Sequence, residues 1–141
     1  MLRPVTVEDL ETLAELDGAY AGEHGAPAVV SAGSVAFYAR AGHAFVAQRA
    51  DAVVGGALAH ADWDGRRPTV RLVRLMGAPG ARAALLEAVV KSAYDAGVVD
   101  LVAEVPVADE ALAALLADAW RERPVRRFER VLGSRAAGET A

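Results

Sequence analysis

The stretch "LMGAPGARAALLEA", Leu75 to Ala88, decides the fold. An apolar strand ends at Met76, and a helix begins near Ala81. Two glycines and a proline lie between them, with Arg82 immediately after. A strand, a glycine turn and a helix can cradle a phosphate, because the first helical N–H groups have no partner and carry the positive end of the helix dipole. The same pattern can equally turn a corner. Its surroundings have to decide.

Working outward, Thr69 to Met76 reads as the strand that feeds this turn. Before it, His43 to Gln48 and Ala52 to Ala59 read as two more strands. "DWDGRRP" reads as a tight turn in which Asp64-Gly65 supplies the positive φ a hairpin needs. The three strands form an antiparallel meander. After the turn, a helix from Ala81 to about Ala96 places Leu85, Val89 and Ser92 on one face beside Leu86, Val90 and Ala93. Gly97 stops it. The apolar run "DLVAEV", Asp100 to Val105, is the next strand and runs parallel to its predecessor, because a helix joins them. Asp109 caps a last helix whose expected buried face is Leu112, Leu115, Leu116 and Ala119, and "RPVRRFERVLG" reads as a final strand.

At the other end, Arg3 to Val5 reads as a short strand. Thr6 and Asp9 form a capping-box start for a helix that buries Leu10, Leu13 and Ala14. "DGAYAGEHGAP" reads as the glycine-rich loop that ends it. A second helix spans about Ser34 to Ala41, capped by Ser34 and stopped by Gly42. The expected fold is α/β: a mixed, mostly antiparallel sheet with helices on both faces, in three layers. Residues 1–132 form a single domain, and 133–141 read as a disordered tail.

Composition sets the outer bounds. The 141 residues are 54% hydrophobic, contain no cysteine and carry a formal net charge of −4. That excludes a disulfide framework and argues against nucleic acid as the main partner. No apolar run approaches the roughly 18–20 residues a membrane span needs. The expectation is a cytoplasmic protein with no nucleic-acid or membrane partner. Charge is uneven: six arginines lie between Arg121 and Arg135. They suit a solvated edge strand, an anionic ligand or a partner. With Trp63 at the expected hairpin tip they suggest homodimer contacts. His60, Asp62 and Asp64 alternate like metal ligands but lack a fourth, so no metal is expected.

The order of elements resembles the GNAT superfamily of acyl-CoA-dependent N-acetyltransferases. "LRPVTVEDLETLAEL" is similar to its first strand and helix. "ARAALLEAVVKSAYDAGVVDLVAEV" is similar to its acyl-CoA helix and fifth strand. "DEALAALLADAWRERPVRRFERVL" is similar to its last helix and strand, with Ala119-Trp120 where Gly-Phe is common. The resemblance covers Arg3 to about Leu132. It implies an acetyl-CoA co-substrate and a small-molecule or peptide amine as acceptor. It also implies a pyrophosphate loop of the form Gln/Arg-x-x-Gly-x-Gly/Ala, which falls on Gly77-Ala78-Pro79-Gly80-Ala81-Arg82. Gly80 matches. Gly77 and Arg82 depart from the pattern, and Pro79 removes one donor. The resemblance assigns cofactor contacts to Leu75, Met76, Gly77, Gly80, Ala81 and Arg82.

Acyl transfer to an amine also needs a base, an oxyanion donor and an acid. The family's glutamate on the fourth strand and tyrosine on the last helix are missing, the latter replaced by Leu115. Substitute candidates are Glu104, on the fifth strand, and Glu23 with His24, after the first helix, flanked by Tyr20 and Tyr38. Two functions therefore compete: an N-acyltransferase, and a catalytically inactive domain of the same fold that binds another ligand or a protein partner.

Overall fold

The computed structural model describes residues 1–63 and 65–133. Asp64 of the expected turn, Arg135 and the rest of the expected tail from 134 lie outside the described residues. Strand β1 (Leu2–Pro4) leads through a 3₁₀ turn (Val7–Asp9) into α1 (Leu10–His24) and α2 (Ala32–Ala41). Strands β2 (Phe45–Arg49), β3 (Ala52–Trp63) and β4 (Pro68–Gly77) follow. Helix α3 (Pro79–Asp95), β5 (Asp100–Ala103) and α4 (Glu110–Leu116) complete the order. The sheet order is β1-β2-β3-β4-β5, antiparallel except for the β4–β5 pair, which is parallel as the connecting helix requires.

The sheet separates two apolar layers. On one face Ala57, Ala59, Leu72 and Leu75 pack against Leu85, Val89 and Ala93 of α3 and Leu112 and Leu116 of α4. On the other, Val46, Leu58 and Met76 pack against Leu13 and Tyr20 of α1 and Val35 and Tyr38 of α2. Period-two alternation on the strands builds both layers. Small residues on β3 let the helices come close: a Cβ at Gly56 would lie 2.7 Å from a Leu13 methyl.

Local chemistry explains most boundaries. Asp9 accepts the Thr6 amide at 2.8 Å and pairs with Arg3, so the start of α1 is tied to β1. Both α1 and α2 end on left-handed glycines, Gly25 and Gly42. Ser92 of α3 donates to the Gly42 carbonyl and meets His43 Nδ1 at 2.7 Å, which ties the end of α2 to α3.

Several sequence expectations need correction. Helix α1 runs through the glycine-rich stretch to His24, because Asp17 and Tyr20 are buried from it, with Gly18 and Gly22 on its exposed side. Its buried face is Leu13, Asp17 and Tyr20; Leu10 is half-buried and Ala14 exposed. Ser31, not Ser34, caps α2. Helix α4 ends at Leu116, leaving Leu115 and Ala119 exposed. The final strand does not form: 120–133 hold no regular structure, and 121–133 are exposed throughout.

Candidate functional site

The site grows from an irregularity in β4. Leu58 pairs with Arg74 and Ala59 with Leu72, so Val73 is an extra residue in β4. A bulge of this kind puts two neighbouring side chains on the same face. Leu72 and Leu75 remain on the α3 side, while Val73 joins Met76 on the α1 side. Arg74 is thereby turned under α1. Its guanidinium donates to Asp17 at 2.9 Å and to the Pro27 carbonyl at 2.8 Å. Asp17, 1% exposed, also accepts the amides of Val29 and Val30.

One turn further along α1, Tyr20 lies between two arginines. Arg74 stacks over its ring, 4.8 Å from the centroid, and Arg82 approaches at 5.8 Å. The Tyr20 hydroxyl donates to Asp109 at 2.5 Å. Asp109, fully buried, caps α4 through the Leu112 amide and receives Arg82 Nη2 at 2.6 Å. Burial and the anion beside it push the Tyr20 phenol well above its ordinary pKa. Burial would also raise the Asp109 carboxyl, but hydrogen bonds from Arg82, Tyr20 and the Leu112 amide outweigh it and hold Asp109 below the usual carboxylate value.

Arg82 has a structural partner here. The turn shrinks to Ala78, since α3 begins at Pro79, so Arg82 lies in the first turn of the helix and not in a loop. Its side chain runs inward and clasps the start of α4. Its Nε is buried without a partner. Gly77 is required by geometry: its φ is +117°, and a Cβ there would lie 2.6 Å from the Val54 carbonyl oxygen. The surroundings of Gly80 are open, with no atom within 4 Å of a Cβ placed there. Pro79 at the first helical position has no N–H, and the Arg82 amide is bonded to the Ala78 carbonyl at 2.9 Å. Helix geometry therefore leaves the amides of Gly80 and Ala81 as the free donors of the turn.

These elements enclose a cleft of about 590 Å³. Gly77, Arg82 and Asp109 line one side, and Tyr20, Glu23 and His24 the other. The cleft lies at the open end of the sheet. The β4–β5 ladder covers only Thr69–Leu72 against Asp100–Ala103, and β4 continues to Gly77 paired with β3 but not with β5. Leu75 and Met76 are fully buried in β4, still paired to Ala57 and Gly56 of β3. Successive strand amides point to opposite edges, so one of this pair faces the edge β5 has left.

Of the two carboxylates read from sequence as catalytic candidates, Glu23 borders this cleft and Glu104 does not. It is 74% exposed, on the last turn of α1 and not in a loop, with His24 at 3.9 Å. Glu104 lies elsewhere, exposed, bridging Arg71 and Arg127. Tyr38 packs edge-to-face on Phe37 and close to His60, away from the cleft. Asp62 pairs with Arg71. Sequence reasoning missed Asp17, Arg74 and Asp109 as site groups. For Asp109 a signal existed, since a cap at the start of the last helix lies near the start of α3. For Arg74 there was none, because the face it takes depends on the extra residue in β4.

A family model described as "Protein of unknown function (DUF1999)" matches residues 1–138. The chain belongs to the DUF1999 family. No curated protein sequence matches it. Among solved structures, this DUF1999 chain is similar to TTHA1254 from Thermus thermophilus. The wild type is 40% identical over 96% of this chain and 99% of that one, with a TM-score of 0.77. A point mutant of the same protein gives 0.80. More distant likenesses include HMB0005, an aminoglycoside acetyltransferase from an uncultured soil metagenomic sample. It is 14% identical, covers 94% and 98% of the two chains, and has a TM-score of 0.72. A second aminoglycoside acetyltransferase of soil metagenomic origin, meta-AAC0020, solved with sisomicin, is 16% identical over 94% and 96%, at 0.70. At such identity these likenesses show the fold, which is GNAT-like. Among the described residues no helix is long and apolar enough to cross a membrane.

Proposed function

We propose that this DUF1999 protein is an acyl-CoA-dependent N-acyltransferase working in the cleft at the open end of β4. One observation carries the reading: a single cleft brings together the first turn of α3 and the Glu23–His24 pair of α1. The amides of Gly80 and Ala81, at the positive end of α3, suit the pyrophosphate of coenzyme A. The strand amide of Leu75 or Met76 that faces the free edge suits the thioester carbonyl and the oxyanion formed from it. Glu23, through His24 or a water, takes the proton of an ammonium acceptor. The freed amine attacks the thioester carbon, the C–N bond forms, the C–S bond breaks, and the second proton that the nitrogen sheds passes through solvent to the thiolate. Exposed Glu23 at the mouth suits a cationic acceptor.

Isothermal titration with acetyl-CoA tests the reading. Micromolar binding is expected, and no heat or thermal shift at millimolar ligand overturns it. Glu23→Gln should then lower turnover with a cationic amine about 100-fold, the lower end for losing a general base, and leave stability unchanged.

A second reading, a catalytically inactive domain, is favoured by the clasp itself. Arg82 and Asp109, both lining the cleft, join α3 to α4. If acetyl-CoA binds only to an Arg82→Gly/Asp109→Ser variant, in which Ser can still cap α4, the inactive reading holds.

A further inference from the structure

The first turn of α3 is short of donors for a polyphosphate. Pro79 has no N–H, and the Arg82 amide is held by the Ala78 carbonyl at 2.9 Å, which leaves the amides of Gly80 and Ala81. Arg82 lines the cleft, is 9% exposed and brings one side-chain donor more, the Nε, buried without a partner. Its Nη2 is already engaged by Asp109 at 2.6 Å. Two amides and one guanidinium N–H match the oxygens of one phosphate group at a helix start. A pyrophosphate presents a second set of oxygens, and the turn has no further donor for them.

Charge around the turn points the same way. Glu23, Asp109 and Glu110 line the cleft, and among the described residues Arg82 is the only lysine or arginine in that lining. Residues 105–120, which supply the α4 side of the cleft, contain no lysine or arginine. Along α3 the cations are Arg82 and Lys91, and Lys91 pairs with Asp95 at 2.6 Å. The nucleotide end of coenzyme A carries a second phosphate and a terminal phosphomonoester, the latter close to a dianion at neutral pH. Such charges beside three carboxylates, with no cation between them, are repelled.

We propose that the cleft recognises its thioester donor by the pantetheine arm and the single phosphate next to it, and does not recognise the nucleotide. The donor class is the acyl thioesters of phosphopantetheine, coenzyme A included. Gly80, Ala81 and Arg82 hold the one phosphate, while Glu23 and Glu110 keep the nucleotide outside. This rests on the acyltransferase reading of the same cleft. It gives the departures at Pro79 and Arg82 a consequence: one removes a donor, and the other turns its side chain inward where a second phosphate would need space.

The test is isothermal titration of the full-length chain with acetyl-CoA, S-acetyl-phosphopantetheine and S-acetyl-pantetheine. The phosphopantetheine thioester should bind within about fivefold of acetyl-CoA, or more tightly. Removing its phosphate should weaken binding by more than about threefold, since charge-assisted hydrogen bonds are lost. Acetyl-CoA tighter than the phosphopantetheine thioester by more than about fivefold overturns the proposal, and so does a loss of less than about threefold on removing the phosphate. Either result leaves the acyltransferase reading standing, whereas no heat with any of the three at millimolar ligand overturns both. Salt gives a second readout. Raising sodium chloride from about 50 mM to about 500 mM screens repulsion, so the affinity of acetyl-CoA relative to the phosphopantetheine thioester should rise. A fall means that the nucleotide phosphates meet cations on the protein, and overturns the proposal.

Discussion

Two Arg–Asp pairs flank one tyrosine ring, and they differ in kind. Arg74–Asp17 joins β4 to α1 and the chain after it. The side chains are 5% and 1% exposed, and Asp17 also receives two backbone amides. Arg82–Asp109 joins α3 to α4 beside the cleft. There Arg82 keeps a buried Nε without a partner, and Asp109 takes a 2.5 Å hydrogen bond from Tyr20. The first pair is a bolt with its capacity used inside the fold. The second is a clasp with a spare donor at the edge of a site. Buried charges are tolerated when hydrogen-bonded, and what remains unbonded points to where another group can enter.

The largest effect that tests this contrast is expected from Asp17→Ala. It strands a buried guanidinium and two amides and should cost about 3–5 kcal/mol in urea unfolding. A loss below roughly 1 kcal/mol, the scale of an exposed pair, would erase the distinction. Arg82→Met leaves Asp109 charged but keeps its cap and the Tyr20 bond. Water from the cleft can reach it, so a smaller loss of about 2 kcal/mol is expected. Equal losses for the two variants would make both pairs bolts. Tyr20→Phe removes one hydrogen bond from Asp109 and should cost about 1 kcal/mol by the same measurement.

The smallest effect is a pH slope, and it separates the pairs from the histidines. Burial holds His43 and His60 below the ordinary imidazole value. The unfolded chain therefore binds protons near pH 6.5 that the folded chain refuses. Their contribution is present above about pH 6.5 and is lost as pH falls toward the depressed folded values. Asp109 is held below the usual carboxylate value, so its contribution is lost only under about pH 4. Unfolding free energy should thus decline gently from about pH 7.5 to about pH 5. Replacing His43 and His60 with glutamine should flatten that decline, whereas Tyr20→Phe should leave its slope unchanged.

The meander, the parallel crossover, the long helix and the glycine turn were legible in the sequence because each follows from local chemistry. Alternation names strand faces, Gly42 stops α2, and Asp109 caps α4. The misread elements had weak local signals. Gly18 and Gly22 read as loop, but buried Asp17 and Tyr20 hold that stretch as helix. Residues 123–133 read as a strand, but a strand needs a neighbour to supply its hydrogen bonds, and the segment pairs with none among the described residues. The candidate site was half legible. Of the candidates, Gly77, Arg82 and Glu23 line the cleft, while Glu104 lies outside it, paired with Arg71 and Arg127.

The sequence by itself determined where a helix N-terminus with open amides follows a strand, because that depends on neighbours in the chain. Only the tertiary structure decided what Arg82 does. Its partners come from α1 and α4, far away in sequence, and the companion Arg74 reaches Tyr20 because a single extra residue in β4 reverses the face on which it lies.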